Sequence, residues 1–487
     1  MPASFDFPVL AEYIRFLPET ILILFGTLLM VLEGVAGEGH RRNSHMVALV
    51  GIFAAFAAAC YASLDPGPAF NNFLLVDGFG SFFRVLVLSA GVLAVMCSPA
   101  YLQREGADSG EYYALMLYSM VGQCILATAN ELIVVFIGLE ISSIATYVLA
   151  GYLRDDKRNN ESAMKYFLLG SFATAFLLYG VAWVYGVTGS TNLDGIRKAV
   201  QSGGASQEVV AFSAALMMVG FAFKVSAAPF QAWTPDVYQG APAPVTAFMS
   251  AGPKAAAFAV FIRVFMTAFA SLSDRWEPIL WILALATMTI GNFAAVVQTN
   301  IKRMLAYSSI AHAGYVLVAI VAHSETGTAA AMFYLAGYVF MNLGAFAIVI
   351  HFGRQGERYL QVNDLSGLGQ RQPMAAAIFT VFLLSLIGVP LTSGFFGKFY
   401  IFKAAIDSHL YWLAVLGLLN SAVAAYYYLR VIVVMYFHEP GRGSEDMMEL
   451  SPGVRWAALV SAVMVIVMGV APSWVLRTAT ASAAFSR

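Results

Sequence analysis

Fourteen apolar stretches, each long enough to cross a bilayer as a helix, run along the chain between short polar breaks. Their predicted limits are 18–36, 45–64, 76–97, 112–129, 131–152, 162–187, 208–229, 242–270, 277–299, 303–322, 328–352, 373–402, 409–437 and 454–476. Only "TAN" parts the fourth from the fifth. The opening residues, MPASFDFPVLAEYIRFLPE, lack the basic start, apolar run and small-residue cleavage site of a signal peptide. They are expected to form a short interfacial segment, with the first span starting near Pro18.

Basic residues in the breaks test this count. Alternate breaks form one set holding Arg41, Arg42, Arg104, Arg154, Lys157, Arg158, Lys302, Arg303, Arg354, Arg358, Arg371, Arg442 and Arg455. The other set, with both termini, holds Arg15, Arg197, Lys198, Arg275, Lys403, Arg477 and Arg487. The bias predicts an even number of spans, with both termini on the outer side.

Composition agrees. The chain is 60% hydrophobic and 11% charged, against about 25% charged in a soluble domain. It reads as an all-α integral membrane protein, and its net charge of −1 gives no pointer to nucleic acid. Cys60, Cys97 and Cys124 fit neither a metal site nor a disulfide framework and read as packing residues. There is no Gly-rich nucleotide loop and no cysteine set for haem or an iron–sulfur cluster. Redox or ATP chemistry served by this chain therefore belongs on another chain.

The chemistry sits where the apolar pattern fails. In "NELIVVFIGLEISSIATYVLAGY" Glu140 lies eight residues, about 12 Å, from Leu132. That depth is well inside a hydrocarbon core roughly 30 Å thick. Seven basic residues also fall within spans: Arg84, Lys165, Lys224, Lys254, Arg263, Lys398 and Arg430. Lys165 is near a span start, where it can snorkel, and Arg263 and Arg430 are off-centre. Each deep Lys costs about 2.5–3.5 kcal/mol on insertion scales. A register-fixing ion pair is one explanation. Three deep lysines against one central glutamate cannot all pair, however, and a lysine that loses its proton inside a membrane is a proton carrier.

Backbone breakers accompany these lysines. Pro229 follows Lys224 by five residues and frees the Val225 carbonyl. Gly252 and Pro253 precede Lys254 directly, and Pro390 frees the Leu386 carbonyl ahead of Lys398. Irregular backbone at membrane depth is tolerated where it faces protein or a water-filled cavity. The seventh and twelfth spans are therefore expected to be discontinuous, five spans apart. This spacing predicts two inverted five-helix repeats, spans 4–8 and 9–13. The expected divisions are 1–111 (spans 1–3), 112–270, 271–437 and a C-terminal span in 438–487.

Three stretches carry a family resemblance: "KVSAAPFQAWTPDVYQGAPAPVTAFMSAGPKAAAF", "IKRMLAYSSIAHAGY" and "PLTSGFFGKFYIF". Together they closely resemble the N subunit of NADH–quinone oxidoreductase, respiratory complex I, over nearly the whole chain. The wider family includes the L and M subunits and the large subunits of multisubunit cation/proton antiporters. Those relatives read "PDAMEGPTPVSALIH", with histidine in the eighth span, where this chain reads "PDVYQGAPAPVTAF" and carries Lys254. The residues also end soon after the fourteenth span, without the L subunit's long lateral helix.

The resemblance implies a proton-translocating subunit of a translocase, coupling quinone reduction elsewhere to proton pumping. It implies a relay of Glu140, Lys224, Lys254 and Lys398, with Lys302 and His312 near the link between half-channels. Glu161 and Lys165, four apart on the sixth span, are expected to assist proton uptake, or to be an ordinary surface pair. For Lys302 a topogenic loop charge is the alternative, and for His312 a satisfied buried histidine. No cofactor is expected on this chain; FMN, iron–sulfur clusters and quinone belong to other subunits. The expected partners are the M, K and J subunits and lipid, in a bacterial inner (plasma) membrane, with both termini periplasmic. The alternative is a subunit of a cation/proton antiporter, and another is a purely structural subunit.

Overall fold

A computed structural model describes residues 8–35, 43–441 and 449–484. Arg41, Arg42, Arg442 and Arg487, counted in the charge bias, lie outside the described residues. The helices, in order, are α1 (Leu10–Arg15), α2 (Leu17–Val35), α3 (Ser44–Ala62), α4 (Gly78–Glu105), α5 (Gly110–Thr128), α6 (Leu132–Ala150) and α7 (Lys157–Thr188). There follow α8 (Leu193–Gln201), α9 (Gln207–Val225), α10 (Trp233–Gly240), α11 (Ala243–Thr267), α12 (Ser273–Val296), α13 (Ile301–Val321) and α14 (Glu325–Gly353). The last are α15 (Leu368–Arg371), α16 (Pro373–Ile387), α17 (Ser393–Asp407), α18 (Tyr411–Phe437), α19 (Pro452–Val470) and α20 (Ser473–Ser482). A two-stranded hairpin, Gly67–Ala69 with Leu74–Val76, is the one sheet among the described residues.

Twelve helices among the described residues are long and apolar enough to cross a membrane. The other two of the fourteen expected spans differ in kind. Helix α5 has 19 residues but carries Glu111, Gln123 and three tyrosines; most of its residues, Tyr112, Tyr113 and Gln123 among them, are buried against protein, so it does not need a lipid-like surface. The twelfth expected span is two halves of 15 residues each, α16 and α17.

Successive connections alternate between two ends of the bundle. At one end Tyr101, Arg158, Ala241, Lys302 and Glu357 meet through hydrogen bonds. They come from the breaks after the third, fifth, seventh, ninth and eleventh spans. At the other end the breaks after the second, fourth and sixth spans join: Asn130 N donates to Phe73 O at 2.9 Å and Leu132 N to Thr191 O at 2.9 Å. Arg15, near the start of the described chain, donates to Asp65 and Pro68 at this second end. Ser482, near its finish, packs beside Gly78 there. Both ends of the described chain thus lie opposite the arginine-rich face.

Three helices make the centre: α11, α13 and α14 are 94% buried over their apolar windows. Helix α11 runs unbroken through Pro253, although proline there removes the hydrogen bond to Met249. Cys97 and Cys124 pack inside as expected, whereas Cys60 is exposed on the outer face of α3.

Candidate functional site

Both expected discontinuities are present. Helix α9 ends at Val225 because Ser226 is left-handed (φ 64°), and the chain resumes as α10 at Trp233. The carbonyls freed by the break find partners: Phe223 O accepts from Ser226 N at 3.1 Å and from Trp233 Nε1 at 3.0 Å. Lys224 sits at the end of the first half. Its Nζ donates to Ser143 Oγ at 2.7 Å and to Tyr147 OH at 3.2 Å, both on α6. Glu140, one turn before Ser143, does not reach it. No ion pair within 4 Å joins Glu140 to Lys224, and Glu140 Oε1 is buried without a hydrogen-bond partner. Glu140 acts on Lys224 only through space.

Helix α16 ends at Gly388, whose φ of 94° suits glycine alone. Lys398 lies on the second half, α17, and reaches back to the broken end. Its Nζ donates to Leu386 O at 3.0 Å, Ile387 O at 2.8 Å and Ser421 Oγ at 2.8 Å, and it lies 4.9 Å from the centre of the Tyr315 ring. Lys254 holds Ser309 twice, through its carbonyl at 3.0 Å and its hydroxyl at 2.5 Å. Tyr338 OH donates to the same hydroxyl at 2.8 Å.

Polar groups fill the intervals. Lys224 and Lys254 line one small cavity of about 30 Å³, together with Ser142, Thr146 and Tyr238. A water needs roughly 10–15 Å³ and two to four polar partners, so the cavity has room for water between the two amines. Between Lys254 and Lys398 stands His312, with Nδ1 2.5 Å from Tyr334 OH and Nε2 3.1 Å from Tyr428 OH. Asn292 then joins Tyr315 (3.2 Å) to Tyr427 (3.1 Å) beside Lys398.

A contrast separates the buried arginines from the buried lysines. Arg84 pairs with Glu19 at 2.7 Å, with both side chains inaccessible. Arg263 grips Asp77 through two bonds of 2.8 Å. Arg430 donates to the carbonyls of Val296 and Gln298 at the end of α12. Lys224, Lys254 and Lys398 touch only neutral oxygens, and none is in an ion pair among the described residues. A guanidinium stays charged throughout and is given a fixed counter-charge or an array of carbonyls. The amines, which can titrate, are left without a carboxylate.

Lys302 and the Glu161–Lys165 pair lie apart from this line. Lys302 is fully buried at the arginine-rich end, 2.7 Å from Glu357 and 2.6 Å from Ala241 O. His312 stands ten residues, about 15 Å, along the same helix. Glu161 pairs with Lys165 at 2.6 Å, but Lys165 also pairs with Asp236 at 2.7 Å, and Asp236 with Arg303 at 2.8 Å. The partners Glu19, Asp77, Asp236 and Glu357 were missed by the sequence reading, as were Ser143, Ser309 and Tyr428. Outside the spans, Asp156 is held below the usual carboxylate range by its hydrogen bonds from Arg158. For Asp77, burial pushes upward, but Arg263 and the Gly80 N–H outweigh it and the carboxyl lies below its ordinary value. Among the described residues no group of three metal-ligating side chains is present.

Broken helices bearing buried amines, in a bundle with alternating ends, define a multi-pass membrane protein of the antiporter-like class. The family described as "NADH:quinone oxidoreductase/Mrp antiporter, TM" matches residues 129–424. NADH-quinone oxidoreductase subunit N 1 of Solibacter usitatus is 62% identical over 476 residues, covering 97% of each chain. Subunit N of Trichlorobacter lovleyi is 47% identical over 95% of each. Among solved structures, a chain of respiratory complex I from Thermus thermophilus with bound aureothin has a TM-score of 0.81 at 34% identity. It matches over 96% of this chain and 100% of its own. A chain of the Mrp complex from Dietzia has a TM-score of 0.83 at 21% identity, over 96% and 97%, and shares the fold. The chain belongs to the NADH-quinone oxidoreductase subunit N family, proton-translocating membrane subunits of respiratory complex I.

Proposed function

We propose that protons cross the midplane of this subunit along Glu140, Lys224, Lys254 and Lys398, with His312 linking the last two. The observation that carries this is that, among the described residues, no carboxylate pairs with any of the three buried amines, each held by neutral oxygens. When Glu140 closes on Lys224 the pair attracts a proton. When they part, desolvation and the charge of Lys254 drive it onward. Moving one charge against about 180 mV costs roughly 4 kcal/mol, the scale of making or breaking a partly buried ion pair. Water in the cavity between Lys224 and Lys254 carries the proton across that gap.

The driving energy comes from quinone reduction on other subunits, which hold the FMN and iron–sulfur clusters; this chain's share is translocation. Its neighbours are the M subunit and the small K and J subunits. Glu161 and Lys165 stand at the uptake side. The membrane is the bacterial plasma membrane, with both termini periplasmic; the arginine-rich end opposite them supports this orientation. Residues 112–270 and 271–437 form the inverted repeats, each with one broken helix. Replacing Lys224 or Glu140 by alanine is expected to suppress proton pumping and coupled NADH–quinone activity in a complex that still assembles. A wild-type proton-to-electron ratio in either assembled variant refutes the carrier role. Purification with flavin and iron–sulfur subunits excludes a free-standing antiporter.

A further inference from the structure

Helix α10 is a wall one helix thick. Trp233 and Tyr238, on one side, line the small inner cavity that holds Lys224 and Lys254. Asp236 and Gln239, on the other, line an open cavity of about 610 Å³ on the arginine-rich face. Gly240, at its end, borders a second open cavity of about 1170 Å³. A helix with side chains is about 10 Å across, so α10, with α7 beside it contributing Tyr166 to the inner cavity and Ser162 and Lys165 to the outer one, stands between the outer water and the inner amines. Its two attachments are irregular. Before it, Ser226 to Ala232 follow the broken end of α9; after it come only Ala241 and Pro242, ahead of α11.

Charges on neighbouring helices hold this wall. Asp236 is clamped between Lys165 of α7 (2.7 Å) and Arg303 of α13 (2.8 Å), and Arg303 also holds Gln239 at 2.9 Å. At the far end, Lys302 holds the Ala241 carbonyl at 2.6 Å. On the inner side Trp233 stacks on Tyr166 at 4.5 Å and donates to Phe223 O at 3.0 Å, and Tyr238 faces the inner cavity. The clamp borders solvent, where water competes for its charges, an arrangement suited to release.

We infer that α10 is the gate between water on the arginine-rich face and the Lys224–Lys254 cavity, and that Asp236 is the positioning residue that latches it shut. With Asp236 clamped, the inner amines are cut off from that water. With the clamp released, α10 swings on its two irregular attachments and water reaches Tyr238 and Lys254. The inference rests on the lysine line being the proton path, and the test separates the two.

The experiment uses assembled complex in proteoliposomes with quinone reduction inhibited, and reads passive decay of an imposed pH gradient per complex. Asp236→Asn is expected to raise the leak several-fold and to lower the proton-to-electron ratio during turnover. Arg303→Gln, which loosens the same latch from the other helix, is expected to act in the same direction, and keeps the test decisive if Asp236→Asn does not assemble. Asp236→Glu is expected to restore tightness. A leak in Asp236→Asn that vanishes when Lys254→Ala is added supports both gate and path. A leak that persists in the double variant leaves the gate standing and overturns the lysine path. Wild-type leak and ratio in the assembled Asp236→Asn or Arg303→Gln complex overturn the gate and leave the proton path untouched.

Discussion

Lys398 Nζ donates to the carbonyl of Leu386 at 3.0 Å, the carbonyl that Pro390 strips of its helical partner. A broken helix and a buried amine thereby satisfy each other. The helix end offers oxygens and the amine needs them, but the contact is neutral on the protein side, so it holds Lys398 whether charged or not.

Gly388 is what lets this happen. Its φ of 94° is left-handed, and an added Cβ would stand 3.2 Å from Lys398 Cδ. Gly388→Ala is expected to cost about 1–2 kcal/mol in backbone strain and to displace the amine. Complex yield should fall modestly and pumping per assembled complex more steeply. Gel quantification of assembled complex with proton-to-electron ratios checks this; equal losses in both point to folding alone.

Arg263 and Asp77 should behave as structure, not as relay. Their two bonds of 2.8 Å tie the hairpin end of α4 to α11, nine residues beyond Lys254. Arg263→Ala leaves Asp77 with no counter-charge and is expected to destabilise by about 3–5 kcal/mol, with turnover per surviving complex near wild type. Because Asp77 lies below its ordinary value when folded, its contribution is present above the usual carboxylate range and is lost as pH falls through the folded value. Melting temperature measured from neutral pH downward should therefore drop less steeply in Asp77→Asn than in wild type.

Glu357 gathers three helices. It accepts from Lys302 at 2.7 Å, Tyr101 OH at 2.9 Å and the Ala243 N–H at the start of α11 at 2.8 Å. Glu357→Gln strands the buried Lys302 charge and is expected to cost about 3–5 kcal/mol. Tyr101→Phe removes one hydrogen bond and is expected to cost about 1 kcal/mol. Thermal melting of the purified complex ranks the two; equal losses contradict the central place given to Glu357.

How much of this was legible follows from physics. Charge inside an apolar run is conspicuous, so Glu140 and the three lysines stood out, and proline and glycine beside them announced the breaks. The carboxylates that complete the picture did not. Asp77, Asp236 and Glu357 sit at helix ends or in breaks, where any acidic residue is unremarkable, and only the fold shows which cation each meets. Glu19 lies near the start of a span, where a carboxylate can also snorkel. Ser309, Tyr338 and Tyr428 carry no signal at all, since serine and tyrosine are ordinary packing residues in a helical bundle. Helix α5 was read as a span by its length, but its tyrosines and Gln123 left it less apolar than its neighbours, for it meets protein and not lipid.

The central claim is that the buried amines act by gaining and losing a proton and not by being charged. Lys254→Arg tests it most directly, because arginine keeps the charge and cannot release its proton. Protons pumped per electron in the assembled Lys254→Arg complex are expected to fall as far as in Lys254→Ala. A wild-type ratio in Lys254→Arg would show that charge alone suffices, and would contradict it.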